Sequence, residues 1–310
     1  MLSRTAENIF WMARYIERAE STARLIQMGQ RMAILPGPIH REEWRSVLRV
    51  TGCEGLIERD RLIAEADIVR LLLLDEGNPS SIRSCMLRAR ANGRAVRTAL
   101  TQDMWEALNE DWRKLEQYDV ARARRDLATL LDWVKARAST FRGAAETGQI
   151  RNEGHDFLRI GGALERAEMT LRLLDVKYYV LLPAISYVGT TLDNYQWESI
   201  LRSVSAHRSY RWVYDGDYRP AHVADYLILN GRMPRSLNYC YRSINEHLDF
   251  LSKDYDSHAT CHETGEKIFS TLQNQDISAI FDVGLHEFLT DFIKCNNRLG
   301  NEIAETYNFN

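Results

Sequence analysis

Apolar residues along the first thirty positions recur with the spacing of an α-helix, and they do so on two sides of it. At about 100° per residue they form two stripes that face in roughly opposite directions. A surface helix carries one apolar stripe, so two stripes predict a central helix that other helices cover. Ser3 is a suitable N-cap for this helix, which is expected to end near Met32, before Pro36-Gly37-Pro38. The first stripe comprises Ile9, Met12, Ala13, Ile16, Ala19, Ala23 and Ile26, and the second comprises Trp11, Tyr15 and Leu25.

The rest of the chain repeats this helical spacing. Only 17 glycines and 6 prolines interrupt 310 residues, which favours long helices over many short strands. The nearest approach to a strand is Val69–Leu74, but it continues a helical pattern that starts at Leu62. The sequence therefore predicts an all-α fold. Further helices are expected at about 42–51, 56–74, 80–98, 103–118, 120–147, 155–182, 194–211, 220–229, 235–255, 258–273 and 276–306.

Three blocks of the sequence recur in the same order, 148, 153 and 155 residues later. Together they indicate a tandem duplication with small insertions. The halves, 1–150 and 151–310, meet at a short connection marked by Gly148, Asn152 and Gly154. We therefore predict two pseudo-symmetric helical halves with the helices near 4–32 and 155–182 at the centre. The blocks are Ile16–Leu25 with Leu164–Leu173; Trp44, Ser46, Leu48 and Arg49 with Trp197, Ser199, Leu201 and Arg202; and Leu72–Cys85 with Leu227–Cys240, in which Pro79 and Ser81 match Pro234 and Ser236.

Composition and charge exclude several classes of protein. With 45% hydrophobic and 27% charged residues, the chain has the balance of a globular protein. A net charge of −3 argues against a dedicated nucleic-acid binder, and no apolar run approaches the length of a membrane span. Residues 1–7 lack the apolar core of a signal peptide. Five cysteines without a CxxC pair are expected to be reduced thiols, which predicts a cytoplasmic protein.

Two glutamates fall at core positions of the repeated helix. Glu20 lies inside the first apolar stripe, and Glu168 occupies the matching place in the second copy. A buried carboxylate without partners costs several kcal/mol, so each must be paired. Arg24 and Arg172 follow them at i+4, with the acid N-terminal to the base.

The repeated motif contains a second glutamate and a second arginine, and its function stays open at this level. Glu17-Arg18 and Glu165-Arg166 lie close to the same side of their helices. One interpretation is a polar pocket between the two copies, in which arginines bind a carboxylate or phosphate ligand. A second is acid–base chemistry by the paired glutamates, and a third is an internal Glu–Arg network that only fixes helix register. Gly161-Gly162 would let another backbone approach the second copy closely.

The motif also carries a family resemblance. The segment 4–20, RTAENIFWMARYIERAE, resembles the opening signature of the bacterial alpha-E family, which is named for a predicted helical domain with a recurrent Glu-Arg motif. The resemblance covers essentially the whole chain and implies one alpha-E domain over 1–310, built from the two halves. Two departures are Ala13, where the family commonly has Gly, and Gly162, where it commonly has Arg. Supporting matches are LLDEGNPSSI at 73–82, MWEALN at 104–109, LERAEMT at 164–170, DVKY at 175–178 and MPRS at 233–236.

The resemblance also implies a genomic and biochemical context for the protein. Alpha-E proteins are encoded beside, or fused to, a circularly permuted ATP-grasp protein, often near transglutaminase-like proteins. ATP-grasp enzymes join a carboxylate to an amine through an acyl phosphate, so the implied setting is peptide or amide formation with an ATP-grasp ligase as partner. The present chain has neither a GxxxxGK[ST] loop nor a GxGxxG, so no nucleotide cofactor is expected on it. An accessory or co-catalytic role beside such a ligase fits both observations.

One further group has the spacing of a metal-binding helix face. His258, Cys261, His262 and Glu266 lie at helical intervals, but no HExxH motif accompanies them and the first half has no equivalent. We therefore expect polar residues on a surface helix rather than a metal site.

Overall fold

A computed structural model describes residues 1–33, 43–58, 61–179 and 190–309. This part of the chain is built from α-helices, short 3₁₀ turns and one π-helix, and it contains no strand, so the predicted all-α class is confirmed. No helix within it is long and apolar enough to cross a membrane. The α-helices are α1 Ser3–Met32, α2 Glu43–Val50, α3 Glu65–Ile68, α4 Ile82–Ala95, α5 Gln102–Leu115, α6 Val120–Arg125, α7 Leu127–Gly148, α8 Glu153–Tyr179, α9 Thr191–Ser203, α10 His207–Tyr214, α11 Pro220–Ile228, α12 Leu237–Asp254, α13 Thr260–Gln273, α14 Ile277–Val283 and α15 Leu285–Thr306.

The two long motif-bearing helices, α1 and α8, pack against each other. Helix α1 is also covered by α4 and α7, while α8 is covered by α12 and α15. The two-sided apolar pattern of α1 explains this, because residues of both stripes, such as Ile26 and Leu25, are buried. The close packing requires Gly161, since a Cβ at this position would lie 2.4 Å from the carbonyl oxygen of Phe10. At Gly162 a Cβ would meet no atom of the described residues within 4 Å, so the predicted close approach holds only for Gly161.

Helices α4 and α12, which pack on α1 and α8 respectively, begin with the same local structure. Ser81 caps α4 by accepting from the backbone N–H of Ser84, and its hydroxyl donates to the Asp75 carbonyl at 2.6 Å. Ser236 caps α12 in the same way, accepting from Tyr239 N–H and donating to the Asn230 carbonyl at 2.5 Å. Serine is among the best N-cap residues because its oxygen satisfies a backbone donor that the helix leaves unpaired. Ser80 and Arg235, the residues just before these caps, therefore hold equivalent positions beside the α1–α8 pair.

The helix boundaries differ from the sequence prediction at the start of the chain. Helix α1 begins at Ser3 itself with Leu2 as its N-cap, so the assignment of Ser3 as the cap is wrong. The helix predicted over 56–74 is wrong in its first part, because the structure has a 3₁₀ turn at Glu54–Leu56 and then α3, which passes into a π-helix at Val69–Leu74. The predicted stop at residues 36–38 and the end of the helix predicted over 155–182 lie outside the described residues.

Three predicted helices are each divided in two. The segment 120–147 breaks at Asp126, and 194–211 breaks after Ser203, where Ser205 has a φ of +57°. The segment 276–306 breaks at Gly284, whose φ of +116° is rarely adopted by residues with a side chain. Apolar periodicity is insensitive to such breaks because it averages over a window longer than the one residue that bends the chain.

Candidate functional site

Helices α1 and α8 pair each other's glutamates. Arg166 on α8 donates from Nε and Nη2 to the two oxygens of Glu17 on α1, at 3.1 and 2.8 Å. Arg18 on α1 donates in the same manner to Glu165 on α8, at 2.5 and 2.8 Å. Both glutamates are buried. Two-pronged arginine–carboxylate bonds are among the strongest and most directional side-chain contacts, so the crossed pairs fix the register of α1 against α8.

Glu17 belongs to a larger cluster that includes Glu20 on the next turn. Arg24 donates from Nε and Nη2 to Oε1 of Glu20, at 2.9 and 2.6 Å. Arg142 on α7 lies 2.5 Å from Oε2 of Glu20 and 3.3 Å from Oε2 of Glu17. Arg235, just before α12, spans both glutamates, with Nη1 2.9 Å from Oε1 of Glu17 and Nη2 3.3 Å from Oε1 of Glu20. The Glu17 cluster thus consists of Glu17, Glu20, Arg24, Arg142, Arg166 and Arg235.

A second cluster forms around Glu165 and Glu168 on α8. Arg172 donates from Nε and Nη2 to Oε1 of Glu168, at 3.0 and 2.7 Å. Arg14 on α1 connects the two glutamates, with Nε 2.9 Å from Oε2 of Glu165 and Nη2 3.2 Å from Oε2 of Glu168. With Arg18 on Glu165, each carboxylate therefore has two arginine partners. The Glu165 cluster consists of Arg14, Arg18, Glu165, Glu168 and Arg172.

All eight residues that the sequence predicts as a polar network take part in these contacts. The structure divides them between two clusters, and it forms both predicted i+4 pairs, Glu20 with Arg24 and Glu168 with Arg172. Sequence reasoning missed Arg14, Arg142 and Arg235. Arg14 lies inside the quoted family motif, and Arg235 lies between the recurring Pro234 and Ser236, so their positions offered a signal. The sequence around Arg142 offers none, because only the packing of α7 on α1 brings it to the glutamates.

The clusters keep Glu17, Glu20 and Glu165 ionised. Burial opposes ionisation of Glu17, but the guanidinium groups of Arg166, Arg235 and Arg142 outweigh it and hold the pKa of Glu17 well below its usual range. The pKa of Glu20 and that of Glu165 are lowered in the same way, against burial, by their arginine partners. A carboxylate held ionised this firmly is a poor proton acceptor near neutral pH. For these three glutamates the electrostatic setting supports anchoring and charge balance rather than acid–base chemistry.

A cavity of about 250 Å³ adjoins the Glu165 cluster. The cavity is open to solvent beside Arg172, whose side chain is 32% exposed. Thr22 forms part of its wall, and the Thr22 hydroxyl is buried without a hydrogen-bond partner in the described part of the chain. An unpaired buried hydroxyl carries a free-energy cost. The cavity is lined by Arg18, Thr22, Val50, Thr51, Gly52, Ser80, Glu165, Glu168, Met169 and Arg172.

A smaller space of about 50 Å³ adjoins the Glu17 cluster beside Gly162. Its polar lining includes Glu17, Arg142 and Arg166, and its apolar lining includes Phe141. A single buried water needs a space of about 10–15 Å³, so this space holds a few waters rather than a metabolite. A Cβ at Gly162 would meet no atom of the described residues within 4 Å, so this position opens onto free space.

The helix-face candidates for a metal site have other roles. Nδ1 of His262 accepts from the backbone N–H of Ala259 at 2.9 Å, and its Nε2 lies 3.2 Å from the Tyr307 hydroxyl. Cys261 is buried, and Nε2 of His258 lies 3.5 Å from Oε1 of the exposed Glu266. Among the described residues, no group of three or more His, Cys, Asp or Glu side chains is arranged to hold a metal ion.

Known proteins similar to this chain are described as uncharacterised. Two mycobacterial proteins, "Uncharacterized protein Mb2597" of Mycobacterium bovis and "Uncharacterized protein MT2643" of Mycobacterium tuberculosis, are each 25% identical to it over 256 residues. "Uncharacterized protein Rv2567" of M. tuberculosis is 24% identical over the same length. Each match covers 76% of this chain but only 28% of the relative, so the chain spans little more than a quarter of the length of these relatives.

No solved structure shows significant similarity to the chain. A family profile matches residues 1–308, and the family is described as a predicted alpha-helical domain with a conserved ER motif. The helical fold and the paired Glu17-Arg18 and Glu165-Arg166 dipeptides at the α1–α8 interface agree with that description. The chain belongs to the alpha-E family.

Proposed function

We propose that this protein is an accessory or co-catalytic partner of an ATP-grasp ligase in peptide or amide bond formation, and that it holds a carboxylate-bearing ligand in the cavity beside the Glu165 cluster. The observation that carries the proposal is the arrangement of Arg18 and Arg172 in the wall of that cavity. Guanidinium groups that line one space are the donors that proteins use for carboxylates.

The glutamates act in this proposal as supports for the arginines. Arg18 and Arg172 each use Nε and Nη2 to bind a glutamate, which fixes the guanidinium plane and leaves Nη1 for another acceptor. Around the two carboxylates of the cluster there are three arginines, so one positive charge is in excess. A ligand carboxylate would balance that charge without the cost of ordering flexible side chains.

The ligase partnership rests on the family resemblance and on the chemistry of the cavity. An ATP-grasp enzyme activates a carboxylate as an acyl phosphate, and a protein that presents a carboxylate would supply what that reaction consumes. The matched relatives also extend well beyond the region shared with this chain, which leaves room in them for a second domain. The chain itself has no recognisable phosphate-binding loop, so the ATP chemistry is assigned to the partner.

Native affinity purification from the source cells, with mass spectrometry of retained proteins and small molecules, tests the two parts separately. Near-stoichiometric recovery of an ATP-grasp protein supports the partnership, and its absence from repeated purifications contradicts it.

For the pocket, Arg172→Met is compared with Arg202→Met, since Arg202 forms the same kind of i+4 pair with Glu198 on the surface. We expect a carboxylate-bearing small molecule to be retained by the Arg202 variant and lost from the Arg172 variant. Equal retention by both would contradict the pocket.

One observation favours an alternative, in which the Glu–Arg network has only a structural role. In both clusters every glutamate has at least two arginine partners, so the network is satisfied without any ligand. The near-isosteric double substitution Glu20→Gln with Glu168→Gln distinguishes the structural role from the ligand pocket and from a stand-alone enzyme. Loss of stability with ligand retention unchanged supports the structural role, and loss of a product from a stable fold would instead support a stand-alone enzyme that uses the paired glutamates.

A further inference from the structure

The two clusters differ by one guanidinium group. In the Glu17 cluster, four arginines surround two glutamates; in the Glu165 cluster, three arginines surround two. Three arginines have counterparts: Arg166 corresponds to Arg18 and Arg24 to Arg172, while Arg142 and Arg14 each connect the two glutamates of their cluster. The fourth, Arg235, has no counterpart among the arginines of the described residues.

The position equivalent to Arg235 is occupied by Ser80. Each residue follows a proline of the repeated block and precedes the serine that caps α4 or α12. The local contacts match as well, because the Cys85 thiol lies 3.6 Å from the Pro79 carbonyl oxygen and the Cys240 thiol lies 3.7 Å from that of Pro234. A serine side chain is far shorter than an arginine side chain, so it leaves empty the space that a guanidinium fills in the other cluster.

The cavity of about 250 Å³ lies at this vacated place. Ser80 lines it together with Glu165 and Glu168, which are the counterparts of the two glutamates that Arg235 spans. The two clusters also differ in a backbone contact at this position. Thr170 donates to the main-chain carbonyl oxygen of Arg235 at 2.9 Å, whereas its counterpart Thr22 has no hydrogen-bond partner in the described part of the chain.

Two features of the cavity favour a cation there despite the surrounding arginines. The Glu17 cluster shows that this arrangement of two glutamates accommodates a fourth guanidinium. In addition, Val50 and Thr51 in the cavity wall lie at the C-terminal end of α2, where the helix dipole attracts positive charge.

We propose that the ligand of this cavity carries a guanidinium or ammonium group, which takes the place beside Glu165 and Glu168 that Arg235 takes beside Glu17 and Glu20. This inference rests on the proposed function for the carboxylate half of the ligand, which Arg18 and Arg172 bind. The ligand class is therefore a zwitterion: a basic amino acid, or a short peptide with a basic residue. Such a molecule has both the carboxylate and the amine that an amide-forming ligase requires.

The first test needs no ligand. Ser80→Arg introduces the missing side chain, and Ser80→Met introduces comparable volume without charge. If the cavity is a guanidinium site, the arginine variant should melt above the wild type by at least about 2 °C, the shift that corresponds to roughly 1 kcal/mol in a chain of this size, and above the methionine variant. A lower melting temperature for Ser80→Arg, or an equal gain for both variants, would overturn the inference.

The second test uses three probes at matched ionic strength: agmatine, which has the guanidinium without a carboxylate; pentanoate, which has the carboxylate without the cation; and L-arginine, which has both. We expect agmatine and L-arginine to raise the melting temperature of the wild type, L-arginine more strongly, and neither to affect Ser80→Arg. A shift with pentanoate and none with agmatine would overturn the cation site and leave the carboxylate pocket standing. Equal shifts with agmatine and L-arginine would support the cation site and overturn the carboxylate pocket. No shift with any probe would overturn both.

Discussion

Arg166 and Glu17 belong to different halves of the chain, yet the arginine binds both oxygens of the glutamate, at 3.1 and 2.8 Å. Arg18 and Glu165 repeat the arrangement in the opposite direction. Each half therefore supplies the principal partner of the buried carboxylate in the other half. Because a buried charge without its partner is strongly destabilising, the crossed pairs couple the folding of the two halves.

Glu17→Gln should reduce the free energy of unfolding by about 3–5 kcal/mol, because it leaves the buried Arg235 and the partly buried Arg166 and Arg142 around a neutral amide. Glu198→Gln is the matched control, since Glu198 forms an i+4 pair with Arg202 near the surface and should cost less than about 1 kcal/mol. Urea denaturation of both variants measures the difference. Similar small losses would show that the Glu17 cluster contributes little to stability.

The sequence predicts the glutamate–arginine pairs within a helix but not those between helices. Glu20 with Arg24 follows from i+4 spacing alone. The contact of Arg166 with Glu17 depends on which faces of α1 and α8 meet, and that is decided by packing, including the close approach at Gly161. Arg142 reaches the site from α7, so no local pattern reveals it. The all-α class is predictable because periodicity extends over whole helices, whereas the break at Gly284 depends on one residue.

Gly161→Ala and Gly162→Ala should change stability in opposite directions. A Cβ at position 161 would lie 2.4 Å from the Phe10 carbonyl oxygen, so α1 and α8 would have to move apart, at an expected cost of about 1–3 kcal/mol. At position 162 the Cβ meets free space, and alanine is favoured in a helix by about 1 kcal/mol over glycine. Thermal denaturation of the two variants tests this. A loss at both positions would contradict the open space assigned to Gly162.

The thiols should be largely unreactive in the folded protein. Burial raises the pKa of Cys85 to about 12 and that of Cys240 to about 11, so neither is a thiolate at neutral pH. Cys53 and Cys261 are buried as well, whereas Cys295 is partly exposed. Titration with a thiol-reactive disulfide reagent should therefore label one cysteine quickly under native conditions and all five in denaturant. Rapid native labelling of Cys85 or Cys240, located by peptide mapping, would contradict this burial.

His155, in the wall of the smaller cavity, should make stability depend on pH in mildly acidic solution. Burial, the Arg151 guanidinium at 3.0 Å and the neighbouring His247 ring lower its pKa from 6.5 to about 4.

Between pH 6.5 and 4 the unfolded chain binds a proton at His155 that the folded protein does not, so the stability that this residue contributes is complete above pH 6.5 and is lost as the pH falls toward 4. The loss should be about 2 kcal/mol, because one pKa unit corresponds to about 1.4 kcal/mol and partial solvent screening reduces the total. The window lies above the titration of Glu17, whose pKa is held below its usual range. His155→Gln should flatten the dependence of the melting temperature on pH in this window, while His258→Gln, which alters an exposed histidine, should keep the wild-type profile. An unchanged slope in the His155 variant would show that the acid sensitivity arises elsewhere.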